Sequence, residues 1–369
     1  MTPSPTAAPT AAPTAAPTAA PTTVPTAVPA RRRVVLDVDT GVDDACGILL
    51  AAAHPGLELV AVTCVGGNAS VDDVVANTLV VLDAAGRPDV PVARGAARPL
   101  LEAPVDARHV HGDDGMADLG WPRSTRTIDP RHAVELLRDV LLDAASPRPS
   151  SPPRDRPDDA DRRITLVPTA PLTNISLLLR TYPEVAAGLR EIVFMGGAAA
   201  VGNATASAEF NVFHDPEAAA IVVDACADLD IAVTMYGLDV FYAPVITRAE
   251  AEALIAVGGR GSAELAGRLI AFQCDRFGRS AATIGDAGAV CAVIDRDALT
   301  TERLPVRVEL AGTWSRGRTI VDRRLWSGDM SHDPHDPHGP APTVVEVALG
   351  VDAVRYQRIW LDTVRAGAR

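Results

Sequence analysis

The sequence predicts an α/β protein whose open, mostly parallel central sheet is flanked by helices. Three observations carry that expectation. Short runs rich in Val, Ile and Leu alternate with stretches of helical spacing along the chain. The runs are continuously apolar, as strands covered on both faces are. Polar residues collect where the runs end, which is where an open α/β sheet binds its ligands.

Residues 1–32 stand outside that pattern. Thr-Ala-Ala-Pro repeats from Thr6 to about Pro21, then decays through Val24-Pro25 and Val28-Pro29 to Arg31-Arg32-Arg33. Regular proline and short side chains bury too little surface to fold, so this is a disordered tail. It lacks the basic and apolar regions of a secretory signal. One domain is expected from Arg33 to the C-terminus, residues 33–369.

Within it, Val34, Val35 and Leu36 form the first strand and Thr40-Gly41 the turn that ends it. Ala45, Ile48, Leu49 and Ala52 give the helix from Asp43 to His54. Leu57 to Cys64 is a second strand, closed by Val65-Gly66-Gly67-Asn68, and Val71 to Ala85 a helix. Ser146 to Arg163, rich in Pro, Arg, Asp and Ser, is a surface loop. Strand Ile164 to Val167, helix Pro171 to Arg180, strand Ile192 to Met195, helix Pro216 to Ala225 and strand Ile231 to Met235 follow. Asp286 opens a helix to Ile294, and Ser327 to Pro342 is a second polar loop.

Composition narrows the chemistry. With 47% hydrophobic and only 4% aromatic residues, the core is built from Val, Leu, Ala and Ile. A net charge of -13 without a basic patch argues against nucleic acid and for a small, neutral substrate. There is no lysine, which removes Schiff bases, the phosphate-binding P-loop and lysine general bases together. Cys46, Cys64, Cys226, Cys274 and Cys291 are odd in number, widely spaced and mostly set in apolar segments, as reduced core residues of a cytoplasmic protein are. No segment has the apolar length of a membrane span.

The densest signal is Asp37-Val-Asp39-Thr-Gly-Val-Asp43-Asp44, four carboxylates in eight positions behind an apolar strand. Neighbouring carboxylates repel and raise each other's pKa, and a hard divalent cation is the simplest remedy. Asp43 and Asp44 fall at a helix N-terminus, which favours negative charge, and Asp39 at the strand's carboxyl end. Asn68, Thr169, Met195-Gly196-Gly197, Asn203, Glu209, Asn211 and Asp286 end or follow later elements. Together they would line a metal-centred crevice suited to a polyol.

In those motifs the chain resembles the inosine-uridine preferring nucleoside hydrolases. The likeness begins at Asp37-Val-Asp39-Thr-Gly41-Val-Asp43-Asp44-Ala45, with Thr40 where that family often has proline. It continues through Gly67-Asn68, His111-Gly112-Asp113-Asp114-Gly115, Pro168 to Asn174, Met195-Gly196-Gly197, Gly202 to Asn211 and Asp215 to Ala219. The resemblance implies Ca2+ held by Asp39, both oxygens of Asp44, the carbonyl of Thr169, and Asp286. The ion would meet the ribose 2′- and 3′-hydroxyls and one water, from which Asp39 would take a proton. Asp43 would accept from the 2′-hydroxyl, Asn211 would contact the 2′/3′ edge, and Asn203 and Glu209 would hold the 5′-hydroxyl. Met195 would pack on the ribose, Asn68 would support the metal site, and His111 lies in the loop beside the base. The resemblance also implies a homodimer or homotetramer.

One position departs from the family. Many relatives carry a histidine before the residue equated with Asp286, where it protonates the leaving base; here it is Gly285. Tyr242, Tyr236, Arg276, Arg279 and His111 are the candidates to replace it. Two other functions stay open: a non-catalytic nucleoside-binding protein that keeps the metal and ribose shell, and a haloacid dehalogenase-type phosphatase on Asp37-Val-Asp39-Thr40. The missing lysine disfavours the phosphatase.

Overall fold

A computed structural model of the chain describes residues 31–146, 161–324 and 343–367. The repeat-rich tail, most of the 146–163 loop and the 327–342 loop with His332, His335 and His338 lie outside the described residues. Among the described residues the eleven strands are β1 (Arg32–Val38), β2 (Leu57–Cys64), β3 (Val92–Arg94), β4 (Ile164–Pro168), β5 (Leu189–Met195), β6 (Val233–Tyr236), β7 (Val245–Thr247), β8 (Ala281–Thr283), β9 (Leu299–Val308), β10 (Thr319–Val321) and β11 (Thr343–Val351). Nine form one sheet in the order β10-β9-β11-β6-β5-β4-β1-β2-β3, and β7 and β8 form a separate ribbon.

The β-branched run that starts β1 explains its central place. Val34, Leu36 and Val38 point into one core and Val35 into the other, the two-residue alternation of a strand covered on both faces. β1 lies between β2 and β4, parallel to both. All six strands from β3 to β6 in the sheet run parallel. β9 pairs antiparallel with β11 and with β10.

Chain order reverses between β1 and β4. The Val42–Ala53 helix after β1 packs in one core, whereas the Thr173–Thr181 helix after β4 packs in the other. The two connections diverge and leave a crevice beyond the strand ends, the topological switch point of a doubly wound sheet.

Several element boundaries differ from the sequence expectation. The first helix starts at Val42 with Gly41 as its N-cap, so Asp43 and Asp44 occupy its first turn. The helix expected from Pro171 begins at Thr173, because Pro171 and Leu172 complete the turn that carries Thr169. Asp286 is the N-cap of the Ala287–Ile294 helix rather than its first residue. The strand expected at Ile231 begins at Val233.

Candidate active site

The switch point gathers the acidic residues. Asp39 follows β1 and is fully buried. Its Oδ2 accepts the Asn68 backbone N–H at 2.7 Å, while its Oδ1 has no partner. The close approach depends on Gly67, since a methyl group there would overlap Asp39 Oδ2. Asp44 is held by three donors: Thr169 Oγ1 to Oδ1 at 2.8 Å, and the Gly41 N–H at 2.9 Å and Asn68 Nδ2 at 3.3 Å to Oδ2. Oδ1 keeps a further lone pair for a cation, whereas the two donors on Oδ2 occupy both of its own.

Asp286 arrives from the far end of the chain. As an N-cap whose side chain makes no capping bond, its carboxylate is free to face the cluster. Oxygens of Asp43, Asp44 and Asp286 lie within 4.8 Å of one another, a set that could hold a metal ion. Asp43 thus stands among the nearest oxygens, although the resemblance casts it only as a sugar contact.

Burial is the main cause of the electrostatics. It pushes Asp43 and Asp44 up to about 6 and lifts Asp39 and Asp286 well above the usual carboxylate range. Mutual repulsion with Asp44 adds to the rise at Asp39, and with Asp43 at Asp286. Such a site charges fully only when positive charge enters it. Asp37, counted with this cluster in the sequence, lies apart from it. Its Oδ1 accepts from Thr63 Oγ1 at 2.6 Å and Asn174 Nδ2 at 2.8 Å, and its carbonyl accepts the Thr169 N–H at 2.9 Å. Asp37 therefore ties β1, β2 and the β4 turn together behind the site.

A cavity of about 620 Å³ opens above the cluster. Asp43, Asn68, His111, Thr169, Met195, Asn203, Glu209, Asn211 and Asp286 all line it, and Asp39 and Asp44 lie beneath its floor. Asn211 Nδ2 donates to the Thr169 carbonyl at 3.0 Å and the Met195 carbonyl at 3.2 Å, which fixes both residues at the cavity wall. Glu209 caps the Phe210–His214 helix, where its carboxylate accepts from the N–H groups of Gly197, Asn211 and Val212. Asn203 Oδ1 accepts the Phe210 N–H at 2.8 Å, leaving its amide nitrogen toward the cavity.

Opposite the acids the walls are aromatic and apolar. Val105, Phe210, Phe213, Phe241, Tyr242 and Phe277 line them, with Asp106, His109, Gln273, Arg279 and Thr283 as further polar members. Sequence reasoning named Tyr242 and Arg279 among these, as candidates to act on the leaving base. It missed Val105, Phe210 and Phe213, which carry no polar or turn signal.

The leaving-group candidates separate in space. Tyr236 is fully buried against Gly288 and does not reach the cavity. Arg276 is engaged with the His109 carbonyl. His111 accepts the Val42 N–H on Nδ1 at 3.1 Å and stands 3.8 Å from Asp43. Burial pushes it down to about 4, so it is neutral near pH 7, with its proton on Nε2. Gly285 adopts φ +53°, where a Cβ would overlap Asp43 Cβ and crowd Phe241. With Asp43 so placed, no histidine fits there.

Comparison with known proteins agrees with this geometry. A family model described as inosine-uridine preferring nucleoside hydrolase matches residues 34–358. An inosine-uridine preferring nucleoside hydrolase of Leishmania major is 39% identical over 297 residues, covering 79% of this chain and 88% of that protein. A pyrimidine-specific ribonucleoside hydrolase RihA of Photobacterium profundum is 35% identical, covering 79% and 89%. The solved purine-preferring ribonucleoside hydrolase from Gardnerella vaginalis superposes with a TM-score of 0.76 at 28% identity, covering 91% of this chain and 99% of that one. The matched span takes in every residue of the crevice, and the phosphatase alternative falls with it: the chain belongs to the inosine-uridine preferring nucleoside hydrolase family, hydrolases of the N-glycosidic bond of ribonucleosides.

Proposed function

We propose that this ribonucleoside hydrolase is calcium-dependent and that Asp39 is its general base. The observation that carries the reading is the pair of buried, unpartnered carboxylate oxygens, Asp39 Oδ1 and Asp43 Oδ1, beside the Asp44–Asp286 cluster. Buried charge left without a partner is costly unless a cation or substrate group completes it. The donor set fits such an ion, because Asp39, Asp44, Asp286 and the Thr169 carbonyl are all hard oxygens. When bound, the cation supplies positive charge that keeps the carboxylates ionised and polarises oxygens set against it.

The chain's own residues supply the remaining roles. Asp39 takes the proton of the attacking water through Oδ1, with Oδ2 anchored on Asn68. Asp43 and Asn211 hold the 2′ and 3′ hydroxyls, Asn203 and Glu209 the 5′ end, and Met195 packs against the ribose. Breaking the N-glycosidic bond places positive charge on the sugar, and the surrounding carboxylates stabilise it. His111 donates from Nε2 at the base end as a neutral group.

Gly285 motivates one rival reading, a nucleoside-binding protein without turnover. Reducing-sugar release from a panel of ribonucleosides separates the two. Release that stops on adding a chelator and returns with calcium supports the hydrolase reading. Calcium-dependent binding without released ribose supports the rival.

A further inference from the structure

Resting on the hydrolase reading, we propose that Arg279 stabilises the departing base when an oxo base leaves as a lactam anion. The backbone at Gly285 and the position of Asp43 exclude an acid at the family's usual site. Tyr236 does not line the cavity and Arg276 is committed to a carbonyl, while His111 is turned by its Nδ1 onto the Val42 N–H. Tyr242 lines the cavity near Arg279, whose charge acts on its hydroxyl.

Arg279 differs from all of these. It lines the cavity, and among the described residues its guanidinium has no hydrogen bond or ion pair, only the face of Phe277 with the two centres 6.0 Å apart. Its side chain is exposed, so it can meet a ligand in that cavity. Phe277 and Tyr242, which also line the cavity, put aromatic surface near it, which suits a planar base. A guanidinium cannot give up a proton near neutral pH, so it acts by charge and by hydrogen bonds to a developing anion.

The step balances without an acid. The C1′–N bond breaks and its electron pair stays on the base, spreading to the exocyclic oxygen that Arg279 contacts. Water oxygen bonds to C1′ and its proton passes to Asp39. The base anion takes a proton from solvent as it leaves, and Asp39 returns its own to solvent. Adenosine, whose base has no oxo group to hold the charge and departs readily only after ring protonation, is a poor substrate in this scheme.

The test compares the parent chain with Arg279→Met and Arg279→Lys on uridine, inosine, adenosine and 4-nitrophenyl riboside, whose phenolate leaves unaided. The Met variant is expected to lose roughly 30-fold or more in kcat on uridine and inosine, with KM changed less than about threefold. Its loss on the nitrophenyl riboside stays below about threefold, and the Lys variant recovers part of the nucleoside rate. Equal losses on every substrate, or a loss confined to KM, would overturn the assignment. So would an effect seen only with nucleoside 5′-monophosphates, which would make Arg279 a phosphate contact. A parent chain that hydrolyses adenosine faster than uridine and inosine overturns the lactam-anion step, and one that releases ribose from nothing overturns the hydrolase reading itself.

Discussion

Asp39 and Asp37 lie two positions apart on one stretch of chain and face opposite fates. Asp37 accepts from Thr63 and Asn174 on Oδ1 and keeps the strand ends together, whereas Asp39 is anchored on Asn68 at the switch point; each keeps one buried oxygen without a partner. In a strand, residues two apart share a face, so the alternation alone cannot tell them apart. The difference arises because β1 ends at Val38 and Asp39 already lies in the turn. Asp39→Asn keeps the shape and the Asn68 contact but cannot accept a proton. Turnover should fall by roughly 10²-fold or more while the far-ultraviolet circular dichroism is retained. Nucleoside hydrolysis at the parental rate would show that another group is the base. At this scale the sequence was informative where chemistry is dense, at Asp39, Asp44, Asn68 and Asn211. At Gly285 it showed that the family's histidine is missing but not that one is excluded, because only the backbone shows that its φ and the nearness of Asp43 leave no room for a side chain.

Elements carry those residues to one place. The strands that build the parallel half of the sheet were readable because Val, Ile and Leu run almost without interruption through β1, β2, β4 and β5. The half beyond β6 was not. In β9, Thr300, Glu302, Arg303 and Arg307 break the apolar run, as fits a strand near the sheet edge. The Ser262–Phe277 helix, which brings Gln273 and Phe277 to the cavity, mixes charged and apolar residues without a strong start signal. Helix ends also shifted by one or two residues wherever a turn residue such as Gly41 or Leu172 could serve as the cap. Glu209 shows the cost of reading function from residue type alone. Its carboxylate is bound by three backbone N–H groups as a helix cap, which fixes it at the cavity wall.

The whole molecule gains a pH dependence from the buried acids. In the metal-free protein, burial raises Asp43 and Asp44 to about 6 and Asp37 and Glu209 to about 7, from ordinary values of 3.8 for aspartate and 4.5 for glutamate. A raised folded-state pKa favours the protonated fold. That stabilisation is complete below the unfolded values and is lost as pH climbs through about 6 to 7. Chelator-treated protein should therefore melt at a lower temperature at about pH 8 than at about pH 5.5, whereas calcium, which competes with protons, should raise the melting temperature more at the higher pH. Identical calcium shifts at both pH values would contradict that linkage. We further propose that residues 33–369 fold as one domain and assemble as a homodimer or homotetramer.

The central claim is that acids from the start and the end of the chain share one cation. A crystal structure with calcium present tests it most directly. The account predicts one cation peak per chain bounded by Asp39, Asp44, Asp286 and the Thr169 carbonyl, with oxygen distances of roughly 2.3–2.6 Å. Well-ordered carboxylates at these positions with no peak between them, at saturating calcium, would contradict it.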